Sequence, residues 1–472
     1  MKLKTDPARS FSVVNLSSDP IYKYIEITRK DPQRPEAGSE YDLLDSGWLQ
    51  RLRRIHQLQS AWWVFPSGEH SRFQHSMGAM HLAGSWARHL HPSLCEAFQD
   101  CPSLNLVEEL LRLTGLLHDV GHGPFGHFFD EQWLQRWGIT HEDIGRSLIT
   151  GPLASIISSI CASPGGSFAG QEQIDPRWIA YLISQGQMDG FAPPSWLTAL
   201  KPLFCGSFTA DNMDYVVRDS YMCGIDAGPV DVHRLIHYTF ICERGLALHG
   251  HAAEALLMFL NVRLYLYNNV YYHRTVRRID LQMREIFAPT MELLGLGSPL
   301  DNLDAYLGFN EWSLINEMDR WARSADDPQR RGLGQSWQDI INRKLKWKMV
   351  FQDHISFPDR IPGTQFITAE SLKRSMLLAL PSKVSEGSFE VDVASLDARP
   401  QNPFSQSGMV LLYDPLTSAL EESAVSQLLS RLPQRTSLFR IFARDTALRE
   451  PLTRAAKEVL RGELAPAFET NV

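Results

Sequence analysis

Leu116-Leu117-His118-Asp119-Val120-Gly121-His122-Gly123-Pro124-Phe125-Gly126-His127-Phe128-Phe129-Asp130 is the stretch on which the fold and the chemistry turn. An apolar helical run, Val107–Leu117, delivers an adjacent histidine and aspartate at its C-terminal end, and glycines with a proline then turn the chain sharply. A neighbouring imidazole nitrogen and carboxylate oxygen can share one divalent metal, a mixed N/O set that suits Mn, Fe, Co, Ni or Zn and tolerates Mg. The glycines remove side-chain bulk where a phosphate or substrate must approach the backbone. A lone His-Asp pair means nothing, but here His122, His127 and Asp130 follow within the same short stretch.

A metal needs more ligands than one pair supplies. Upstream, Ser71-Arg72-Phe73-Gln74-His75-Ser76-Met77-Gly78 offers His75 at the opening of a helix, with Arg72 beside it as a phosphate partner. Downstream, Thr209-Ala210-Asp211-Asn212-Met213-Asp214-Tyr215-Val216-Val217-Arg218-Asp219 offers Asp211. On a helix, Asp211, Tyr215 and Asp219 fall at i, i+4 and i+8 and line one face. That gives one acid for the metal, and a phenol and a second acid to hold substrate hydroxyls. Asp130, three residues after His127, is placed to orient that ring and raise its basicity.

The whole chain has 472 residues, 46 basic against 54 acidic side chains and a formal charge of −8. Hydrophobic content of 44% and charged content of 21% describe a soluble globular protein with ample core, and exclude disorder, a collagen-like chain and a disulfide miniprotein. The charge argues against chain-wide binding of nucleic acid or an anionic membrane, while leaving room for a local basic patch. Ten of the 16 histidines lie between His56 and His141. His56, His70, His81, His89 and His91 match no motif and read as surface or helix-capping residues.

The opening Met1–Pro7 lacks the apolar stretch of a signal peptide, and the longest apolar run, Ala255–Tyr272, is broken by Arg263 and Asn268-Asn269. A cytoplasmic protein without membrane association is expected. The six cysteines form no CxxC pair, so reduced thiols are expected and a cysteine-ligated zinc is not.

Extended pieces open the chain around Ile21–Ile27, and helical periodicity takes over from Ser46. Helices are expected at about 75–90, 106–119, 126–136, 141–150 and 209–222, with one long helix over 252–292. Beyond residue 295 the pattern changes. Phe389–Val393, Met409–Tyr413 and Leu438–Phe442 read as strands, with helices at about 416–431 and 446–461. The expected architecture is mainly α: a helical domain over residues 1–295 and a smaller α+β lobe over 296–472, with a regulatory or oligomerisation role.

Through these motifs the chain resembles the HD superfamily of metal-dependent phosphohydrolases, whose signature is H…HD…D. It looks closest to the deoxynucleoside triphosphate triphosphohydrolase branch, through Gln50–Leu58, Arg72–Ser76, His118–Asp130, Asp214–Asp219 and Val270-Tyr271-Tyr272-His273-Arg274. The resemblance covers about residues 17–290, and implies an HD-domain helical core. His75, His118, Asp119 and Asp211 match the family's ligands for one divalent metal. His122, His127, Asp130 and His141 match the cluster that handles the phosphate nearest the sugar and assists proton transfer. His127 is assigned as the acid for the departing sugar oxygen, with His141 as the competing choice. Gln57, Tyr215 and Asp219 match contacts to the deoxyribose 3′-hydroxyl, Leu58 the neighbour that crowds the 2′ position, and Arg72 a phosphate-binding arginine. His273 lies in the late helix that contributes to the nucleotide pocket. A homo-oligomer and a nucleotide effector are implied by the resemblance alone.

The chain also departs from the family. Asn212 stands where a lysine follows the last ligand, Asn269 where an arginine precedes the late histidine, and Arg277 where an aromatic residue stacks on the sugar. Arg274, Arg277, Arg278 and Arg218 are the candidate replacements for the missing cations. Hydrolysis of a deoxynucleoside triphosphate is the expected reaction. The missing lysine and arginine favour a rival, an HD phosphohydrolase acting on a nucleoside monophosphate, a cyclic nucleotide or a nucleic-acid end. A non-catalytic nucleotide-binding regulator is the third reading, and the complete four-ligand set argues against it.

Overall fold

The computed structural model describes residues 13–186, 188–206, 208–324, 326–357, 368–382, 384–397, 410–421, 431–432 and 435–464. Helices dominate, with small sheets. An antiparallel hairpin of β1 (Val14–Asp19) and β2 (Lys23–Thr28) opens the described chain. The site-bearing helices follow: α1 (Arg72–Ala97), α2 (Leu104–Leu117), α3 (His127–Gln132), α4 (His141–Thr150) and α5 (Ala210–Met222). Serines and threonines fix the starts. Ser71 with Gln74, Thr140 with Asp143 and Thr209 with Asn212 form reciprocal capping boxes, and Ser103 caps α2.

The helices group into a unit drawn from Met1–Leu266, Met291–Glu317 and Arg399–Arg431, and a second drawn from Tyr267–Thr290, Met318–Ala398 and Leu432–Val472. Each unit uses several stretches, so no single cut in the sequence separates them. In the first unit α1 and α2 pack as an antiparallel hairpin over buried Ala79, Ala83, Trp86, Leu110, Leu113 and Leu117. The contact is close enough that a Cβ on Gly115 would lie 2.7 Å from the Ala79 backbone. The second unit has a three-stranded antiparallel sheet, Lys348–Phe357, Arg435–Ala443 and Phe389–Asp397 in that spatial order. Helices Ala369–Ala379 and Arg449–Leu464 cover it, enclosing Phe389, Phe439, Ile441, Met376 and Leu452.

Three expectations are corrected. The long helix over 252–292 is two helices, Ala253–Leu266 and Arg274–Leu293, separated by a π-helical turn at Tyr267–Tyr271. The Tyr272 N–H reaches back five residues to the Tyr267 carbonyl (2.7 Å), and His273 Nδ1 accepts from the Thr275 N–H to start the next helix. The segment expected as a helix from 416 instead turns and forms a strand, Ala419–Glu421, while residues 422–430 lie outside the described residues. Asp414 accepts from the Leu416 N–H across Pro415, an Asx turn that favours a hairpin over a helix. Strand Leu411–Asp414 runs parallel to Gly245–His249 in the first unit's sheet rather than joining the lobe's sheet.

Candidate metal and phosphate site

Three helix ends meet at the site. His75 lies in the first turn of α1, His118 and Asp119 follow the last turn of α2, and Asp211 lies in the first turn of α5. His75 Nε2 is 3.2 Å from His118 Nε2, 3.0 Å from Asp211 Oδ1 and 3.9 Å from Asp119 Oδ2. His118 Nε2 is 3.4 Å from Asp119 Oδ1 and 3.6 Å from Asp211 Oδ1. The far nitrogen of each imidazole is already used: His75 Nδ1 bonds Asp214 Oδ2 and His118 Nδ1 the Gly115 carbonyl, both at 2.8 Å. These bonds point both Nε2 atoms toward the two carboxylates, the ring orientation a metal requires. The donor set therefore fits one divalent cation of the N/O-preferring class.

Asp214 holds the site from behind. It accepts from His75, from Arg218 Nε and Nη2 (2.8 and 2.9 Å) and from the Tyr22 hydroxyl (2.8 Å), while Arg218 Nη1 also donates to Asp19 (2.9 Å). The β1–β2 turn thus reaches His75, a candidate metal ligand, through a single carboxylate. The sequence reading did not assign Asp214, Tyr22 or Asp19, although Asp214 and Arg218 stand i, i+4 on α5.

The turn after His118 is shaped by close contacts. A Cβ on Gly121 would lie 2.0 Å from the His141 carbonyl, and one on Gly126 (φ +55°) would lie 2.2 Å from Arg72 Nη2. Tyr306 donates its hydroxyl to the Gly121 carbonyl, Arg51 Nη1 donates to the His122 carbonyl (2.6 Å), and Glu311 Oε1 accepts from the Phe125 N–H. These supports also escaped the sequence reading, because residues 306–311 carry no motif of their own.

Beside the ligands lies the second cluster. His122 is fully buried and stacked on His141 (ring centroids 3.6 Å apart), with His127 edge-on to both at 4.9 and 5.1 Å. Asp130 bonds His141 Nδ1 and lies 3.6 Å from His127 Nδ1. Asp130 therefore orients His141 at least as closely as the expected His127. The His127 side chain is 67% exposed and is the one imidazole of the three that is open to solvent.

Charge is distributed unequally over these groups. Burial, Arg72 and His141 hold His122 well below the ordinary histidine range, so it is neutral. Burial opposes charge on His141, but its bond to Asp130 outweighs this and raises it. Asp119 and Asp211 are held well below the carboxylate range despite burial, Asp119 by His118 and Arg72 and Asp211 by His118 and His75.

In the metal-free protein His75 is pushed up to about 10, its burial outweighed by bonds to Asp211 and Asp214. The folded state therefore binds this proton more tightly than the unfolded state. The stability from this group is complete below about pH 6.5 and is lost as pH rises through about 10. A metal on Nε2 must displace the same proton. Titration calorimetry in buffers of different ionisation enthalpy is expected to show proton release on metal uptake, with affinity rising between pH 7 and 9. A pH-independent affinity would contradict this.

The structure brings together all four expected ligands and all four cluster residues. Arg72 also arrives, but its Nη1 donates to Asp119 Oδ2 (2.6 Å). Asp219 is buried and bonds His70 Nε2 (2.8 Å), so His70 is a core residue rather than the surface histidine expected. The His70 carbonyl accepts from the Gln57 N–H, and the Gln57 side-chain oxygen is buried without a hydrogen-bond partner. Leu58 is buried and Tyr215 half-buried. His273 and Arg277 belong to the second unit, where Arg277 is paired with Asp392 (2.6 Å) and Asp280 (3.5 Å). Arg218 is taken by Asp214 and Asp19, and Asn212 by the α5 capping box.

Residues 72–163 match the HD domain family. The chain contains an HD domain. Three of the four expected ligands lie inside the matched span, and Asp211 lies beyond it. The chain is 24% identical over 431 residues to the deoxynucleoside triphosphate triphosphohydrolase SAMHD1 homolog of Dictyostelium discoideum, covering 89% of this chain and 77% of that protein. Identity to SAMHD1 of Danio rerio is likewise 24%, over 480 residues, 94% of this chain and 72% of the relative. An uncharacterized Bacillus subtilis protein is 26% identical over 288 residues, and there the match spans 61% of this chain and 58% of the relative. Among solved structures, a hypothetical protein from Aquifex aeolicus shares the fold, with a TM-score of 0.66 and 24% identity over 94% of this chain and 100% of that one. The HD domain and these relatives support a phosphohydrolase family for the chain. Among the described residues, no helix is long and apolar enough to cross a membrane.

Proposed function

We propose that the chain is a divalent-metal-dependent nucleotide phosphohydrolase that converts a deoxynucleoside triphosphate to deoxynucleoside and inorganic triphosphate. The observation that carries this reading is the convergence of His75, His118, Asp119 and Asp211, with both Nδ1 atoms engaged behind them. Bound there, a divalent metal supplies Lewis-acid polarisation of a phosphoryl oxygen. His122, neutral and with Nε2 3.3 Å from Asp119, takes a proton from the attacking water. His141, its pKa raised by the bond to Asp130, offsets charge on the phosphate nearest the sugar when protonated. His127, exposed at the rim, gives its proton to the departing sugar oxygen. Gln57, with its orphaned side-chain oxygen, Tyr215 and the His70-held Asp219 supply the deoxyribose contacts, and Leu58 crowds the 2′ position. Of the residues beyond 295, Tyr306 and Glu311 brace the turn at Gly121–Phe125, and the α+β lobe acts in oligomerisation or in regulation by a nucleotide effector.

One observation favours a substrate with fewer phosphates. Asn212, where the family's lysine would reach a distal phosphate, is consumed by the Thr209 cap. Product analysis on a panel of dNTPs, NTPs, dNMPs and single-stranded DNA decides between the readings. Released triphosphate supports the first, and orthophosphate or shortened nucleic acid the second. Within the first reading, His127→Ala is expected to lower kcat by about 10²–10⁴-fold, more than His141→Ala does. A larger loss in His141→Ala would transfer the acid role to that residue.

A further inference from the structure

Away from the metal centre, α1 ends in a second group of reactive side chains. His91 and Cys95 stand i, i+4 on its last turns, and both face the loop that leads to α2. The Phe98 N–H closes on Leu94 and the Cys101 N–H on Phe98 (3.2 Å), a turn that folds Cys101 back onto Cys95. The two Sγ atoms are 2.9 Å apart, with both thiols free and Cys95 at the surface. His91 Nε2 lies 2.9 Å from the Pro102 carbonyl and 3.4 Å from Cys95 Sγ, and as donor to that carbonyl it leaves Nδ1, 3.8 Å from the same sulfur, as the acceptor.

We propose that Cys95 and Cys101 form a reversible dithiol–disulfide pair, oxidised by a low-molecular-weight disulfide, that staples the turn between α1 and α2. The spacing favours this over a zinc site. Two thiolates on one tetrahedral zinc, at about 2.3 Å each, stand about 3.8 Å apart. His91 takes the Cys95 proton, the thiolate attacks one sulfur of the small disulfide, and the small thiolate expelled leaves as a thiol with the proton His91 had taken. Cys101 keeps its proton at this stage, because burial and the neighbouring Cys95 both raise its pKa. Once Cys95 is in the mixed disulfide, the Cys95 contribution is gone, and Cys101 attacks Cys95 Sγ and releases the second small thiol. Two protein thiols and one small disulfide give one protein disulfide and two small thiols, and the protein loses two protons and two electrons. The stapled helices carry His75 and His118 at their other ends, so the bond closes the hairpin opposite the metal centre.

The test treats the full chain with oxidised glutathione, alkylates it under denaturing conditions and maps the peptides by mass spectrometry. The proposal expects a Cys95–Cys101 linkage reversed by dithiothreitol, with Cys161, Cys205, Cys223 and Cys242 alkylated throughout. It also expects a rise in thermal midpoint of about 2–4 °C on oxidation, absent in Cys95→Ser and Cys101→Ser. Both variants retain full turnover under reducing conditions. Three results would each overturn it: both thiols alkylated after treatment, glutathione adducts with no internal linkage, or thiols protected until a chelator removes zinc.

Discussion

Replacing Asp119 by asparagine is expected to cut turnover by about 10³-fold and to weaken metal binding, while the protein stays folded. Asp119 is the carboxylate on which His118, His122 and the Arg72 guanidinium all converge. Asparagine keeps an oxygen for Arg72 and removes the charge a cation needs. Asp119→Ala goes further, because it strands a buried guanidinium whose Nε already lacks a partner. That variant is expected to lose about 3–5 kcal/mol of stability as well, the cost of breaking a buried pair. Metal content by mass spectrometry, thermal unfolding and steady-state turnover, measured on wild type and both variants, separate loss of chemistry from loss of fold.

Gly78→Ala is the second large effect. A Cβ at this position in α1 would lie 1.9 Å from Asp214 Oδ1 and 2.4 Å from Arg218 Nη2. Neither partner has room to yield, since Asp214 and Arg218 are buried and tied to Tyr22, His75 and Asp19. Elsewhere on an exposed helix the same change would stabilise by about 1 kcal/mol. Here it is expected to cost about 3 kcal/mol and to lower metal affinity by about 10–100-fold, because displacing Asp214 unlocks the His75 tautomer. Equilibrium unfolding and metal titration check both parts. A stable variant with wild-type affinity would mean that the network behind His75 does not position it.

Local signals carried the candidate metal ligands. His118–Asp130 is one contiguous stretch, and His75 and Asp211 each sit at a helix start that Ser71 or Thr209 announces through a capping box. What held these residues in place was not local. Tyr22 and Asp214 are 192 positions apart, Asp19 and Arg218 199, and His70 and Asp219 149, so no window of sequence contains both members of a pair. The same limit hid the role of Asn212, which reads as a missing cation until the Thr209 cap is seen. Helical periodicity also ran too far. Apolar spacing continues through Tyr267–Tyr271, where the backbone takes a π-helical turn, and Asp414-Pro415 turns a segment whose composition suits a helix. The cysteines were judged by spacing, and a turn at 98–101 brought together two that no motif links.

The most direct measurement of the central claim is product analysis on a dNTP with three samples in parallel: metal-loaded wild type, chelator-treated wild type and metal-treated Asp119→Asn. The account predicts inorganic triphosphate and deoxynucleoside from the first sample and at most about a thousandth of that rate from the other two. Equal turnover in all three, or turnover that survives chelation and the loss of the Asp119 charge, would contradict it.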